Sequence, residues 1–262
     1  MLDRPYIGIT DIVTHEQGQV LVDVLRDTFG PFWTPRLGVG VMMSYKTLNG
    51  LDTKWSKAFP KNEDIDSIWL TDPDAFNVLH YADYDGNPLL PNMEKAMAFA
   101  GCCDAVQLDM IWPNPHDVLE FKMKYPDTAV IIQVNERALA HCSRDPNKAA
   151  SYVAVYGGAV DVALLDMSMG TGKGLDGVLL ESLVESLFEV CPSVSVAAAG
   201  GLGPDTLHLA DSLFYKDPSL SLDAQSKLRP SGNALDPLDM DYCVRYLRNA
   251  SARYGRICYE QR

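Results

Sequence analysis

An aspartate ends the apolar run Val160-Asp161-Val162-Ala163-Leu164-Leu165-Asp166, and Gly170-Thr171-Gly172-Lys173 follows four residues later. That spacing sets a carboxylate at a strand end beside a glycine loop. Glycines let backbone N–H groups reach phosphate oxygens, and the acid is a candidate proton donor or acceptor, so the pattern suits a phosphorylated small molecule. Ala199-Gly200-Gly201-Leu202-Gly203-Pro204-Asp205 repeats the passage from strand through glycine to helix, and Ser226-Lys227 follows a later apolar run. The candidate phosphate-binding residues are Gly170, Gly172, Lys173, Gly200, Gly201, Ser226 and Lys227. Gly-Thr-Gly-Lys alone is a weak signal, because its spacing does not fit a Walker A loop. The weight lies in three such turns in one chain.

Other apolar runs also end in polar residues: Thr10 and Asp11, His80 and Tyr81 with Asp83 beyond, Gln107 and Asp109, Gln133 and Asn135, and Asp223 with Gln225. Residues two apart share one side of a strand, so Gln107 and Asp109 point together, as do Gln133 and Asn135. Asp166, Asp109 and Asp11 are the candidate acids and bases; Gln107, Gln133, Asn135 and Asp223 are candidate substrate contacts. Structural readings compete. Asp11 can cap the helix that Thr14 opens, His80 alternates with Phe76 and Val78 as a core histidine would, and Gln107 and Gln133 can satisfy each other as buried amides. The histidines lack His-x-x-x-His spacing, and no Cys/His cluster has ligand spacing, so no metal or cofactor is expected.

Strands are expected at 6–11, 38–44, 76–81, 105–109, 129–135, 160–166, 194–199 and 220–225. Helical spacing of apolar residues lies between them: Val20, Leu21, Val24 and Leu25; Ile65, Ile68 and Trp69; Leu179, Leu180, Leu183, Val184 and Leu187. Thr14-His15-Glu16-Gln17 reads as a capping box, and Asp145-Pro146 and Asp236-Pro237 as caps before a first-turn proline. Eight strand-then-helix units predict one α/β domain folded as a (β/α)8 TIM barrel, with a doubly wound open sheet as the alternative. The segment 45–61 interrupts the rhythm with Lys46, Lys54, Trp55 and Lys57, and reads equally as a lid or as a surface insertion packed by Trp55 and Phe59.

The chain has 262 residues and a net charge of −13, which argues against nucleic acid and anionic membranes as partners. No apolar stretch is long enough to span a bilayer, and Met1-Leu2-Asp3-Arg4-Pro5 precedes the first strand with no leader-like apolar region. Six cysteines without Cys-x-x-Cys spacing read as reduced thiols of a cytoplasmic protein, with Cys102-Cys103 at a helix-to-strand joint.

The second half resembles phosphoribosylanthranilate isomerase of tryptophan biosynthesis. Residues 162–176 are similar to that family's Leu-Leu-Asp…Gly-Gly-Thr-Gly-Lys-Thr-Phe-Asp, 199–204 to its Ala-Gly-Gly-Leu-x-Pro, and 222–226 with Ser231, Gly232 and Asp236 to its Asp-Val-Ser-Ser-Gly-Val-Glu and the helix beyond. Gly8-Ile9-Thr10 and Val106-Gln107-Leu108 resemble its Gly-Ile-Thr and Val-Gln-Leu-His. The resemblance implies a TIM barrel, an Amadori rearrangement of a phosphoribosyl amine and no cofactor. It puts the general acid on Asp166 and the cysteine base on Ile7, which takes no proton. Asp109 stands where the family has histidine, Met169 where it has the first glycine, and Lys46 is the cation nearest the arginine expected after strand two. The expected function is an isomerase of a phosphorylated sugar derivative, with the base moved to Asp11 or Asp109. The alternatives are a lyase, aldolase or epimerase using Lys46, Lys173 or Lys227 as a Schiff-base amine, and a non-catalytic binding barrel.

Overall fold

The computed structural model describes residues 2–29, 35–166 and 177–260. Parallel strands β1 (Tyr6–Thr10), β2 (Arg36–Ser44), β3 (Ala75–Ala82), β4 (Ala105–Asp109), β5 (Ala129–Asn135), β6 (Val162–Asp166), β7 (Ser195–Ala199) and β8 (Ser221–Ala224) pair in chain order. Ile7–Leu222, Gly8–Asp223 and Ile9–Ala224 pairing joins β8 back to β1 and closes the barrel. The TIM barrel is thus the fold, and the open sheet is excluded. Strand ends differ from the sequence reading by a residue or two.

Period two along each strand separates two apolar layers. Tyr6, Phe76, Val78, Ile131, Val162 and Leu164 fill the barrel interior. The intervening residues, among them Ile7, Ile9, Val39, Val106, Ile132 and Leu165, pack against the helices. Tyr6 and Phe76 meet with ring centroids 5.3 Å apart, and the Arg36 guanidinium covers Phe76 at 4.4 Å. These residues plug the barrel at the strand N-termini, leaving the opposite end to form a site.

The helices are α1 (His15–Phe29), α2 (Tyr45–Leu48), α3 (Leu89–Ala100), α4 (Pro115–Lys124), α5 (Glu136–His141), α6 (Pro146–Ala154), α7 (Gly177–Val190), α8 (Asp211–Lys216) and α9 (Met240–Glu260). Thr14 and Gln17 form the expected capping box before α1, each side chain accepting from the other's backbone N–H. Asp145 caps α6 by accepting from Asn147 and Lys148 N–H. Asp236-Pro237 does not start a helix. Asp239, accepting from Asp241 and Tyr242 N–H, caps α9 instead, while the Pro237 carbonyl is held in the preceding loop by Arg229. Of Ile65, Ile68 and Trp69, whose spacing reads as helical, the first two lie in a 3₁₀ helix, Asn62–Ile68, and Trp69 follows it. Cys102 and Cys103 lie in the joint between α3 and β4. No helix among the described residues is long and apolar enough to cross a membrane.

Candidate active site

A cavity of about 660 Å³ opens at the C-terminal ends of the strands, a size that suits a small metabolite. Strand alternation brings Thr10 from β1, His80 from β3, Gln107 and Asp109 from β4, Gln133 and Asn135 from β5, Asp166 from β6 and Asp223 from β8 to its wall. Three carboxylates on alternate strands therefore share one cavity.

Each carboxylate has its own setting. The Thr10 hydroxyl donates to Asp223 Oδ1 at 2.9 Å and lies 3.4 Å from His80 Nε2. Burial, with added repulsion from Asp166, lifts the Asp223 carboxyl to about 7, although the Thr10 hydrogen bond opposes the rise. Burial also lowers His80 to about 3, so the imidazole is neutral and its 4.0 Å approach to Asp223 is not a charge pair. Asp109 accepts from the Tyr84 hydroxyl, which itself accepts from Asn135 Nδ2 at 3.2 Å. Burial raises Asp109 to about 6, against the pull of the Tyr84 hydrogen bond. Gln133 Nε2 donates to Asp166 Oδ2 at 2.7 Å.

Two glycines make room for this wall. A Cβ on Gly8 would stand 2.7 Å from Asp223 Oδ1, and one on Gly40 would stand 2.8 Å from Thr10 Oγ1 and 3.0 Å from His80 Nε2. The Asp223 carboxylate thus occupies the space over strand one. Ile7 packs in the layer between strands and helices, whereas Tyr6 lies in the interior. A proton-transfer group at position 7 would face the helices rather than the cavity.

On the β7–β8 side, Gly200 and Gly201 have φ of 95° and 71° and line the cavity with Ser226, Gly232 and Asn233. Positive φ suits glycine and turns the chain back over the mouth. Gly170, Gly172 and Lys173 lie outside the described residues. Three expected residues do not reach the wall. Asp11 turns away at φ 81° into a buried pair with Arg229, Nη2 to Oδ2 2.8 Å, and also accepts from Gln225 Nε2 at 3.2 Å. Lys46 pairs with Asp85 at 3.2 Å beside the neighbouring aromatic pocket. Lys227 is exposed; its stem packs on Gly203 and its Nζ ends at the rim near Gly232. Gln107 and Gln133 do not satisfy each other: the Oε1 of each is buried without a hydrogen-bond partner among the described residues.

Four wall residues carried no periodic signal. Tyr84 and Arg137 follow β3 and β5, with the guanidinium 5.2 Å from the tyrosine ring centroid. Lys54 and Trp55 come from the 45–61 segment, where Trp55 stacks on Phe59 at 5.4 Å. That segment both packs its own aromatics and lines the cavity. His80, read as a core histidine, also reaches the wall. Among the described residues no group of three or more His, Cys, Asp or Glu side chains is gathered to hold a metal ion.

Fold and site together define a (β/α)8 barrel with an acid-lined cavity at its C-terminal mouth. No family model matches the chain, and no curated protein matches it. Solved structures do. TrpF from Jonesia denitrificans superposes with a TM-score of 0.56 at 15% identity, covering 94% of this chain and 96% of that one. The catalytic domain of a hyperthermophilic chitinase from Pyrococcus furiosus gives 0.58 at 11%, covering 97% and 96%. A putative orotidine-monophosphate decarboxylase from Toxoplasma gondii gives 0.51 at 13%, covering 98% and 93%. At such identities the likeness is one of fold.

Proposed function

We propose that this barrel is an isomerase of a phosphorylated sugar derivative, moving a proton between neighbouring carbons by general acid–base chemistry. The observation that carries the reading is the ring of Asp109, Asp166 and Asp223, two of them raised to about 6 and about 7. A carboxyl with a pKa near neutrality can both take and return a proton at pH 7. Asp166 keeps the role of acid at the ring oxygen. Asp223 is the base: it fills the space over Gly8, whereas Asp11 is committed to Arg229. Asp109, with Tyr84 and Asn135, orients the amine or carbonyl end. The phosphate sits against Gly200, Gly201 and Ser226, where backbone N–H groups supply donors without net positive charge. The motif resemblance of residues 162–176, 199–204 and 222–226 to phosphoribosylanthranilate isomerase motivates this choice among barrel chemistries.

The test is growth of a tryptophan auxotroph that lacks phosphoribosylanthranilate isomerase. Expression of this chain restores growth, and Asp166→Asn and Asp223→Asn each remove it, in keeping with a loss of about 10²–10⁴ in rate per general acid or base. Failure of the unmodified chain to support growth removes phosphoribosylanthranilate as the substrate. Undiminished growth with either substitution refutes the assigned roles.

A further inference from the structure

A second cavity, of about 420 Å³, lies on the rim between the loops that follow β3 and β4. Among the described residues Tyr84 alone lines both this cavity and the catalytic one. Leu89, Met110, Ile111 and Trp112 give it an apolar wall, and Asp83 and Asp117 bring two carboxylates. Asp83 is committed to its own turn, accepting from the backbone N–H groups of Asp85 and Asn87 and from Asn87 Nδ2. Asp117, half-buried in the first turn of α4, makes no hydrogen bond or ion pair among the described residues. No Lys or Arg among the described residues lines this cavity.

The apolar wall is held in shape at a cost. Trp112 has φ 39°, an uncommon and strained value for so bulky a side chain. Two contacts hold it there: the indole Nε1 donates to the Ala138 carbonyl at 3.1 Å, and the ring stacks on Tyr152 with centroids 5.1 Å apart. Its neighbour Ile111, large and apolar, is left exposed in the cavity wall. An apolar concavity with one uncommitted carboxylate and no cation complements a ring that carries a positive charge. Tyr84 adds a link to the catalytic cavity, since its hydroxyl donates to Asp109.

We propose that the rim cavity is a second binding site, for a small aromatic amine, and that Tyr84 couples it to the catalytic wall. The ring of the amine lies on Leu89, Met110, Ile111 and Trp112, and its ammonium group meets Asp117. The amine is bound and not transformed. Its presence shifts Tyr84 and with it the hydrogen bond on Asp109, which makes the amine an effector rather than a substrate. The amine site stands apart from the sugar-phosphate reading and needs no part of it.

Isothermal titration of the full chain near neutral pH with 2-phenylethylamine, its neutral counterpart 2-phenylethanol and the anionic 3-phenylpropionate tests the site. The amine binds about five-fold more tightly than the alcohol, the effect of one half-exposed, charge-assisted hydrogen bond, and the carboxylate binds most weakly. Asp117→Asn brings the amine down to the affinity of the alcohol. Ile111→Lys, a change at an exposed position, sets a cation in the wall and abolishes amine binding. Saturating amine moves the carboxyl carbon resonance of Asp109 in the unmodified chain and does not move it in Tyr84→Phe. Equal affinity for the three probes, or no binding of any, overturns the site. Amine binding undiminished in both Asp117→Asn and Ile111→Lys puts the probe among the catalytic carboxylates and overturns it as well. So does an Asp117→Asn chain that melts lower yet binds the amine unchanged, for Asp117 is then only a charge at a helix terminus. Amine binding at the rim with an unmoved Asp109 resonance refutes the coupling through Tyr84. The expected preference in a chain that fails to support the auxotroph upholds the amine site and removes phosphoribosylanthranilate alone.

Discussion

Arg229→Met strands a buried carboxylate. Arg229 is 2% exposed and Asp11 7%, and the guanidinium joins Asp11 to two backbone carbonyls, Gln225 O at 2.8 Å and Pro237 O at 3.4 Å. Removing one partner of such a pair costs about 3–5 kcal/mol, because the remaining charge has neither water nor counter-ion. For a chain of this size that lowers the melting temperature by roughly 6–20 °C. The loss depends on pH with a definite sign. Burial raises the Asp11 carboxyl and Arg229 opposes the rise, so the variant's folded state holds its proton to higher pH than the unfolded chain does. Stability is then lost as pH climbs above the ordinary carboxylate range, and the deficit against the unmodified protein widens from pH 4 to pH 8. Urea unfolding at both values measures it, with Asp11→Asn/Arg229→Met as the partner-free control recovering part of the loss. A deficit below about 1 kcal/mol, or one that does not change with pH, would show that the pair is solvated and the reasoning wrong.

Other outcomes follow from the same geometry. Asp223→Asn is more stable than the unmodified chain at pH 8 and gains less at pH 5, because a carboxyl raised to about 7 must ionise in its buried site as the pH rises; urea midpoints at the two values decide it. Gly8→Ala places a Cβ 2.7 Å from Asp223 Oδ1, costs about 1–3 kcal/mol by overpacking, and lowers turnover more than substrate affinity in steady-state kinetics. Tyr84→Phe removes the hydrogen bond that holds Asp109 down, so the Asp109 carboxyl titrates above about 6, as carboxyl carbon shifts followed by NMR would show. Asp145→Ala removes the α6 cap and costs about 1 kcal/mol, read from thermal unfolding.

The barrel was legible because each strand couples a short apolar run to a polar end, and because alternation sorts residues between interior and helix-facing layers. That same alternation picked out Gln107, Asp109, Gln133, Asn135, Asp166 and Asp223, all of which reach the cavity. It could not place residues beyond the strand ends. Asp11 lies just past β1, where its positive φ turns it to Arg229, and Lys46 lies in the short helix α2 beyond β2, paired with Asp85. Tyr84, Lys54 and Trp55 reach the wall from loops, where no period announces direction, and Arg137 reaches it from the first turn of the short helix α5. Asp236-Pro237 misled because Asp-Pro serves turns as readily as helix starts; here Arg229 holds the Pro237 carbonyl in the loop. Ile7 was matched by motif alone, and motif similarity does not report which face of a strand a residue occupies.

The seam between β1 and β8 also governs when this protein can act during its own synthesis. Thr10 and Asp223 are 213 positions apart, and Asp11 and Arg229 are 218 apart. Contacts of such long range form late, since loop-closure entropy must be offset before they contribute. A nascent chain that has extruded seven strands therefore exposes β1 and β7 as open edges, a template for pairing with other chains. The proposed base, its Thr10 partner and the buried ion pair all assemble in the one event that removes those edges, so the onset of catalysis would report barrel closure.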